Sequence, residues 1–353
     1  MADSVLPKGS TILVTGATGS VGGPVALEIL KAGYKVRAAV RNQSKGGILI
    51  EALTAKGFGD AVETVVVTDM TAPGALDSAL QGCVGIVHVA SDVTFGPNPH
   101  EVITPTVRMA RNILESAAKT PSIRRFVYTS STATLPQPES GVHLTPSSWT
   151  DPAVVDMAWA EPHSQEKSPL VYTASKYLGE KACWDFMAER KPHFDLNTVV
   201  PNANFGAVLD PRLLGSINGL VYAAANGDPT TQAMMNIFPP MYMINFEDDA
   251  LLHLAGLTLP DVKGERLLGM GEPYTYDLLI DAVHKVKPDA KLPPKQRLPL
   301  PAATVDRSRS EEVTARLGKP KWTGLDESIK QMFESVEGAD LPDQLRGLIS
   351  LFA

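Results

Sequence analysis

The chain has 353 residues, 44% of them apolar and 20% charged, with a formal net charge of −7 and a mean hydropathy of −0.02. That composition excludes a disordered chain, and no apolar run is long enough to span a bilayer, so no membrane association is expected. The acidic balance disfavours nonspecific nucleic-acid binding, which works by neutralising phosphates.

Cys83 and Cys183 stand alone in apolar or helical contexts, too few for a disulfide framework, and read as buried small hydrophobes. The seven histidines have no metal-ligand spacing, so no metal site is expected. The first residues lack the basic-then-apolar pattern of a secretory leader, which makes the cytoplasm the expected location.

In chain order, an apolar run at 11–14 leads into Thr15-Gly16-Ala17-Thr18-Gly19-Ser20-Val21-Gly22 and then into a helical pattern at 25–30. Strand, glycine turn and helix in that order make a cradle for a pyrophosphate. Gly16 permits the sharp turn, Gly19 removes a side chain that would block the phosphates, and Gly22 lets helix and strand pack closely. Pro24 sits about one turn into the helix, where its missing amide costs little.

Apolar strand patterns recur at 34–40, 62–67, 84–90, 125–130 and 196–200, and helical patterns at 75–80, 106–119 and 172–189. Alternation of this kind predicts a parallel sheet covered by helices on both faces. After Pro201, frequent Gly and Pro break the pattern and mark a second, smaller lobe. The organisation expected is a dinucleotide-binding unit over 1–205 and a substrate lobe over 206–353. A strand end and helix near 245–257 return to the first unit. The Lys- and Pro-rich stretch 284–307 reads as a solvated connection before final helices at 325–336 and 342–351.

Where an NAD-binding chain places an acid at the end of its second strand, this one reads Val40-Arg41-Asn42-Gln43-Ser44-Lys45. Arg41 and Lys45, with Arg37 as a further candidate, supply cations suited to a 2′-phosphate, which favours NADP over NAD. Asp69, followed by Met70 after the third strand, either accepts from the adenine amino group or is a helix N-cap.

Tyr172-Thr173-Ala174-Ser175-Lys176 puts a phenol and an ammonium one helical turn apart on one face. A phenol that must protonate an alkoxide needs a neighbouring cation, and Lys176 supplies it. Tyr177 and Lys181 repeat the spacing, but five residues rotate Tyr177 by roughly 140° round the helix, so both pairs cannot face one cofactor. Tyr172 is preferred because its neighbours are small and it lies nearest the helix start. The strand ending Tyr128-Thr129-Ser130-Ser131 offers a hydroxyl for a substrate oxygen. The residues alone do not say which serine supplies it.

TGATGSVG at the start, YTSS at the fifth strand, YTASK on the long helix and VVPN after the sixth strand resemble the extended short-chain dehydrogenase/reductase family over most of the chain. The branch most similar contains dihydroflavonol reductases and fungal NADPH-dependent aldehyde or ketone reductases, as VLPKGSTILVTG, VRAAVR, HVAS at 88–91 and KPHFDLNTVVPN indicate.

The resemblance implies a doubly wound α/β Rossmann fold with an interleaved C-terminal substrate lobe, NADP(H) as cofactor, and reduction of a small carbonyl compound to an alcohol. Intermediates of fungal secondary metabolism are among the substrates it admits. On the family pattern Ser131, Tyr172 and Lys176 are catalytic, with Lys176 also holding the nicotinamide ribose. The cofactor set is Gly16, Thr18, Gly19, Ser20, Val21, Gly22, Arg41, Lys45, Asp69, Met70, Ala90, Ser91, Tyr172, Lys176 and Pro201. Val93, Phe95, Ala133 and Asn202 fall on the substrate wall, and Met234, Met235, Met241 and Met243 read either as an adaptable pocket or as ordinary core.

The family pattern usually carries glycine in a helix beginning near Pro105, where this chain has Arg108-Met109. Two rival functions are a nucleotide-sugar epimerase or dehydratase, opposed by the missing acid for NAD and by Thr132-Ala133-Thr134 beside the serine, and a non-catalytic NADP sensor, opposed by the intact Ser, Tyr and Lys set. The oligomeric state is not legible from the sequence.

Overall fold

The computed structural model describes residues 4–91, 95–137, 141–235 and 238–339. A seven-stranded parallel sheet forms its centre, built from β1 (Thr11–Thr15), β2 (Lys35–Val40), β3 (Val62–Val66), β4 (Cys83–His88), β5 (Arg125–Thr129), β7 (Asp195–Pro201) and β10 (Arg266–Gly269), with β6 (His143–Leu144), β8 (Ala203–Phe205) and β9 (Met241–Asn245) elsewhere. The order across the sheet is β10-β7-β5-β4-β1-β2-β3. Strand order reverses between β1 and β4, so a crevice opens beyond their carboxyl ends. Six of the seven strands follow apolar runs legible in the sequence; β10 had no such signal.

One face of the sheet is covered by α1 (Gly22–Lys31), α2 (Gln43–Ala55) and α8 (Phe246–Thr258). Val25, Ala26 and Ile29 of α1 and Leu252, Ala255 and Leu257 of α8 share one apolar core with Ile12 and Val14 of β1. The other face is covered by α3 (Pro99–Ala118) and α5 (Ser168–Arg190), whose Ala110, Ile113, Leu114, Cys183 and Phe186 pack with Leu13, Ile86, Phe126 and Leu196. Both cysteines are buried here, unpaired. Gly179 lets α5 lie against β5 and α3: a Cβ there would sit 2.6 Å from the Tyr128 hydroxyl and 3.1 Å from Thr106 Cγ2.

Away from the main sheet, β8 and β9 join β11 (Glu272–Tyr274) in a three-stranded sheet. It packs with α6 (Ser216–Ala225), α7 (Pro229–Met235), α9 (Tyr276–Val286) and α11 (Leu325–Ser335). Met235 and Met243 are fully buried in that core, which makes them structural rather than pocket-lining. A short α4 (Ala153–Trp159) packs on α5, α10 (Ser308–Arg316) lies on α8, and β12 (Thr304–Val305) pairs with β6.

Two expectations need correction, and one helix had not been anticipated. Residues 75–80 form successive turns rather than a helix, between Gly74 and Gly82, both at positive φ; Leu76, Ala79 and Leu80 are nonetheless buried, which explains the apolar pattern. The third helix begins at Pro99, not near Pro105. Asn98 caps it by accepting from the His100 amide, and Pro105 lies in its interior. Residues 43–55, to which the sequence pattern assigns no element, form α2 with Asn42 as its cap, accepting from the Lys45 amide at 3.0 Å. The expected helix at 342–351 lies outside the described residues.

Candidate active site

The first glycine of the turn after β1 has φ +70, and a Cβ on it would sit 2.7 Å from the Ala90 amide nitrogen. Gly16 therefore lets two strand ends approach each other at the floor of the crevice. A Cβ on Gly22 would collide with the Gly16 carbonyl, so the turn and the start of α1 are held against one another by glycine alone. Next to Gly19 the one atom within 4 Å of a built Cβ is the Gly16 oxygen at 3.2 Å, which leaves its outer side open. The Ser20 and Val21 amides, at the start of α1, meet no protein acceptor among the described residues. Glycine-lined space facing free amides at a helix start suits a phosphate. The residues present therefore fit a dinucleotide.

At the end of β2, Arg41 and Lys45 are exposed, and neither side chain has an ion pair or hydrogen bond among the described residues. Both stand at the N-terminus of α2, where an anion is favoured further. Arg37 is not available to a phosphate. It lies three residues before the strand's end, bonded to Glu63 at 2.6 Å and to the Ala79 and Gln81 carbonyls. Asp69 is exposed and accepts from the Thr71 amide and hydroxyl at 2.8 and 2.7 Å, which hold its carboxyl below the usual range. It has the geometry of a turn cap. Met70 beside it is half-buried, and its carbonyl accepts from Asn112.

Tyr172 lies one turn into α5, and its phenol stands beside the Ser131 hydroxyl. Ser131 stands just past β5 in extended conformation and also caps a short helical turn by accepting from the Ala133 amide at 3.2 Å. The Phe95 ring stacks on the Tyr172 ring with centroids 4.6 Å apart. Phe95 has φ 52, an uncommon backbone conformation for an aromatic residue and one that recurs at functional sites. Burial pushes the Tyr172 phenol above its ordinary value, and the neighbouring Ser131 hydroxyl pulls it partly back. The depressed phenol expected from a neighbouring lysine is thus not what this geometry gives; the phenol stays protonated at neutral pH, as an acid must.

Lys176, one turn further along α5, is buried, and its Nζ donates to the Thr129 carbonyl at 3.2 Å and lies 3.5 Å from Ser91 Oγ. Burial lowers its ammonium to about 8, with Glu180 opposing the loss of charge. Ala90 and Ser91 therefore close the crevice floor between β1, β4 and α5. Below them the buried His88 imidazole pairs with Thr15 Oγ1 at 2.7 Å, and burial together with the Lys176 charge drops it to about 3, so it is neutral. Pro201 ends β7 and is buried, Asn202 and Ala133 are half-buried, and Val93 lies outside the described residues.

The competing pair points elsewhere. Tyr177 packs edge-on against Trp149, and Lys181 lies over the same indole. Ser130 also separates from Ser131, since its hydroxyl donates to Glu180, two turns further along α5 than Tyr172.

Two residues of this neighbourhood were missed in the sequence, Glu180 and Arg266, which bond across 86 positions at 2.7 Å. Continuing the spacing 172, 176 by one more turn would have found Glu180. Nothing in the sequence signals Arg266.

A sequence model of the NAD-dependent epimerase/dehydratase family matches residues 12–231. The chain belongs to that family, the extended short-chain dehydrogenases/reductases. Among its relatives, aldehyde reductase 2 of Sporidiobolus salmonicolor is 38% identical over 341 residues, spanning 94% of this chain and 98% of its own. Ketoreductase adrE of Penicillium roqueforti is 30% identical over 334 residues, spanning 92% and 96%. The yeast methylglyoxal/isovaleraldehyde reductase Gre2, solved in complex with NADPH, has the same fold, with a TM-score of 0.74 at 24% identity over 96% of this chain and 99% of its own. Family members are NAD(P)-dependent. Among the described residues no helix is long and apolar enough to cross a membrane, and no cluster of side chains is able to hold a metal ion.

Proposed function

We propose that this family member reduces an aldehyde or ketone to an alcohol with NADPH, using Tyr172 as the proton donor. The observation that carries the reading is the Ser131 hydroxyl set beside the Tyr172 phenol at the mouth of a crevice whose floor is Ala90, Ser91 and the Lys176 ammonium. The chain is an oxidoreductase of the C=O/CH–OH class, and relatives named as aldehyde reductase and ketoreductase span almost its whole length.

Bound NADPH would supply the hydride. The chain's own residues do the rest. Ser131 donates to the substrate oxygen and holds it beside the phenol. As the carbonyl carbon gains the hydride, the Tyr172 proton moves to the oxygen, leaving a phenolate that Lys176 stabilises and solvent reprotonates. Lys176 and Ser91 would hold the nicotinamide ribose, the amides at 20–21 the pyrophosphate, and Arg41 with Lys45 the 2′-phosphate. Phe95, Ala133 and Asn202 would bound the substrate. Thr132-Ala133-Thr134 puts no acid beside Ser131, which disfavours a nucleotide-sugar dehydratase.

The test is oxidation of NADPH, and separately of NADH, with a panel of small aldehydes, aliphatic and aryl ketones and β-keto esters. Turnover that prefers NADPH supports the reading. Tight NADPH binding without turnover of any carbonyl compound would replace it with a sensor.

A further inference from the structure

Glu180 follows Lys176 by one turn of α5, as Lys176 follows Tyr172, so the three share one side of the helix. Its side chain is fully buried and accepts five hydrogen bonds: from Arg266 Nε at 2.7 Å and Nη2 at 3.2 Å, Ser130 Oγ at 2.5 Å, Thr198 Oγ1 at 2.9 Å and Trp184 Nε1 at 3.1 Å. Arg266, on the edge strand β10, donates further to the Pro146 and Ser148 carbonyls and to Thr134 Oγ1, and its guanidinium lies 3.9 Å from the centre of the Trp149 ring. The four donor residues come from β10, the end of β5, β7 and α5 itself.

The geometry also closes on Ser131. Its predecessor Ser130 is bonded to Glu180, and its carbonyl accepts from the Thr134 amide and hydroxyl at 3.0 and 2.8 Å. Thr134 is in turn held by Arg266. A residue that must present one hydroxyl to a phenol is therefore fixed on both sides by one buried ion pair, and the acid of that pair stands on the helix that carries the phenol. Replacing a buried pair of this kind by apolar side chains is often neutral for stability, so stability alone does not account for it.

We propose that Glu180 and Arg266 act as a positioning pair that seats Ser131 against Tyr172 and fixes Lys176 on the crevice floor. The proposal rests on the carbonyl-reductase reading for its kinetic consequence but not for its electrostatic one. The groups facing Lys176 are Tyr172, Glu180 and Cys183 on its own helix, His88 from β4, and Tyr128 with the Thr129 carbonyl from β5. His88 is neutral, and the Cys183 thiol is pushed well up by burial. Among the described residues Glu180 is then the anion that acts on the ammonium, with Arg266 partly cancelling it.

Glu180→Gln removes the anion while keeping the side chain's shape, so it moves Lys176 in a stated direction, which unspecific loosening of the fold would not do. The direct readout is the 13Cε shift of Lys176 against pH in ligand-free, lysine-labelled protein, assigned with Lys176→Arg. The midpoint is expected to fall in Glu180→Gln by roughly a pH unit. Glu180→Gln and Arg266→Met should both lower kcat roughly ten- to a hundredfold while the KM for NADPH changes little. A midpoint that stays put or rises in Glu180→Gln overturns the proposal. Ser130→Ala guards against variants that do not fold, because it keeps the ion pair. It should leave the Lys176 midpoint in place and still lower kcat about tenfold, since one of Ser131's two restraints is lost; unchanged kcat also overturns the proposal. If wild type turns over no carbonyl compound, the function fails on its own account, and the titrations alone judge the pair.

Discussion

Asp249 offers a stability test that is independent of catalysis. It lies in the first turn of α8 with no exposed surface, and neither carboxylate oxygen has a hydrogen-bond partner. His253 Nδ1 comes within 3.6 Å of it, but that imidazole bonds the Asp249 carbonyl through Nδ1 and Thr129 through Nε2, and burial drops it to about 4. The contact is therefore not an ion pair at neutral pH. Burial, aided by Asp248, pushes the Asp249 carboxyl up to about 8, against 3.8 in an unfolded chain.

The sign follows directly. Between those two values the folded protein keeps a proton that the unfolded chain has released, so rising pH favours unfolding until about pH 8, above which the loss is complete. One proton amounts to about 1.4 kcal/mol per pH unit, or about 3 kcal/mol between pH 5 and pH 7. Asp249→Asn removes the titration and keeps the shape. Urea unfolding of both proteins at pH 5, 6 and 7 should show the variant gaining on wild type by that slope. Asp248, raised to about 6 mainly by burial, is present in both and largely cancels. A difference between the two proteins that does not change with pH would refute the reasoning, because it would mean that Asp249 titrates in the fold as it does in the unfolded chain.

Other consequences are more local. Arg41→Ala should raise the KM for NADPH roughly 10- to 100-fold and leave that for NADH nearly unchanged, the scale of a charge-assisted hydrogen bond to phosphate; equal effects on both cofactors would remove the phosphate role. Gly179→Ala forces a methyl to within 2.6 Å of the Tyr128 hydroxyl and should destabilise the protein by about 1–3 kcal/mol, read as a lower Tm. A melting curve like that of wild type would show that α5 can lift away from β5 at little cost.

How much of this was legible depended on whether the signal was local. The glycine turn could be read because strand, turn and helix are contiguous, and β4, β5 and β7 because strands covered on both faces are apolar without interruption. α2 was hidden by Gly46 and Gly47. A Cβ at 46 would press to 3.2 Å on Val40 and 3.3 Å on Thr64, and glycines also erase the helical signal. In 75–80 the apolar spacing was real and its cause was burial in turns, which periodicity cannot distinguish from a helix.

At the site, Tyr172 and Lys176 lie one turn apart on one helix and could be paired by spacing. The residues could not separate Ser130 from Ser131, because the distinction is made by Glu180, which takes one hydroxyl and leaves the other to Tyr172. Arg266 arrives from a strand 86 positions away, and such a partner is set by topology alone.

The central claim is that the Tyr172 phenol delivers the proton, and Tyr172→Phe tests it most directly because it deletes one oxygen from a ring whose stacking on Phe95 is kept. NADPH affinity, followed by nicotinamide fluorescence, should stay within a few-fold of wild type while kcat for carbonyl reduction falls by roughly 10²–10⁴, the worth of a positioned general acid. A variant that binds NADPH normally and still reduces the carbonyl at more than about a tenth of the wild-type rate would contradict the account.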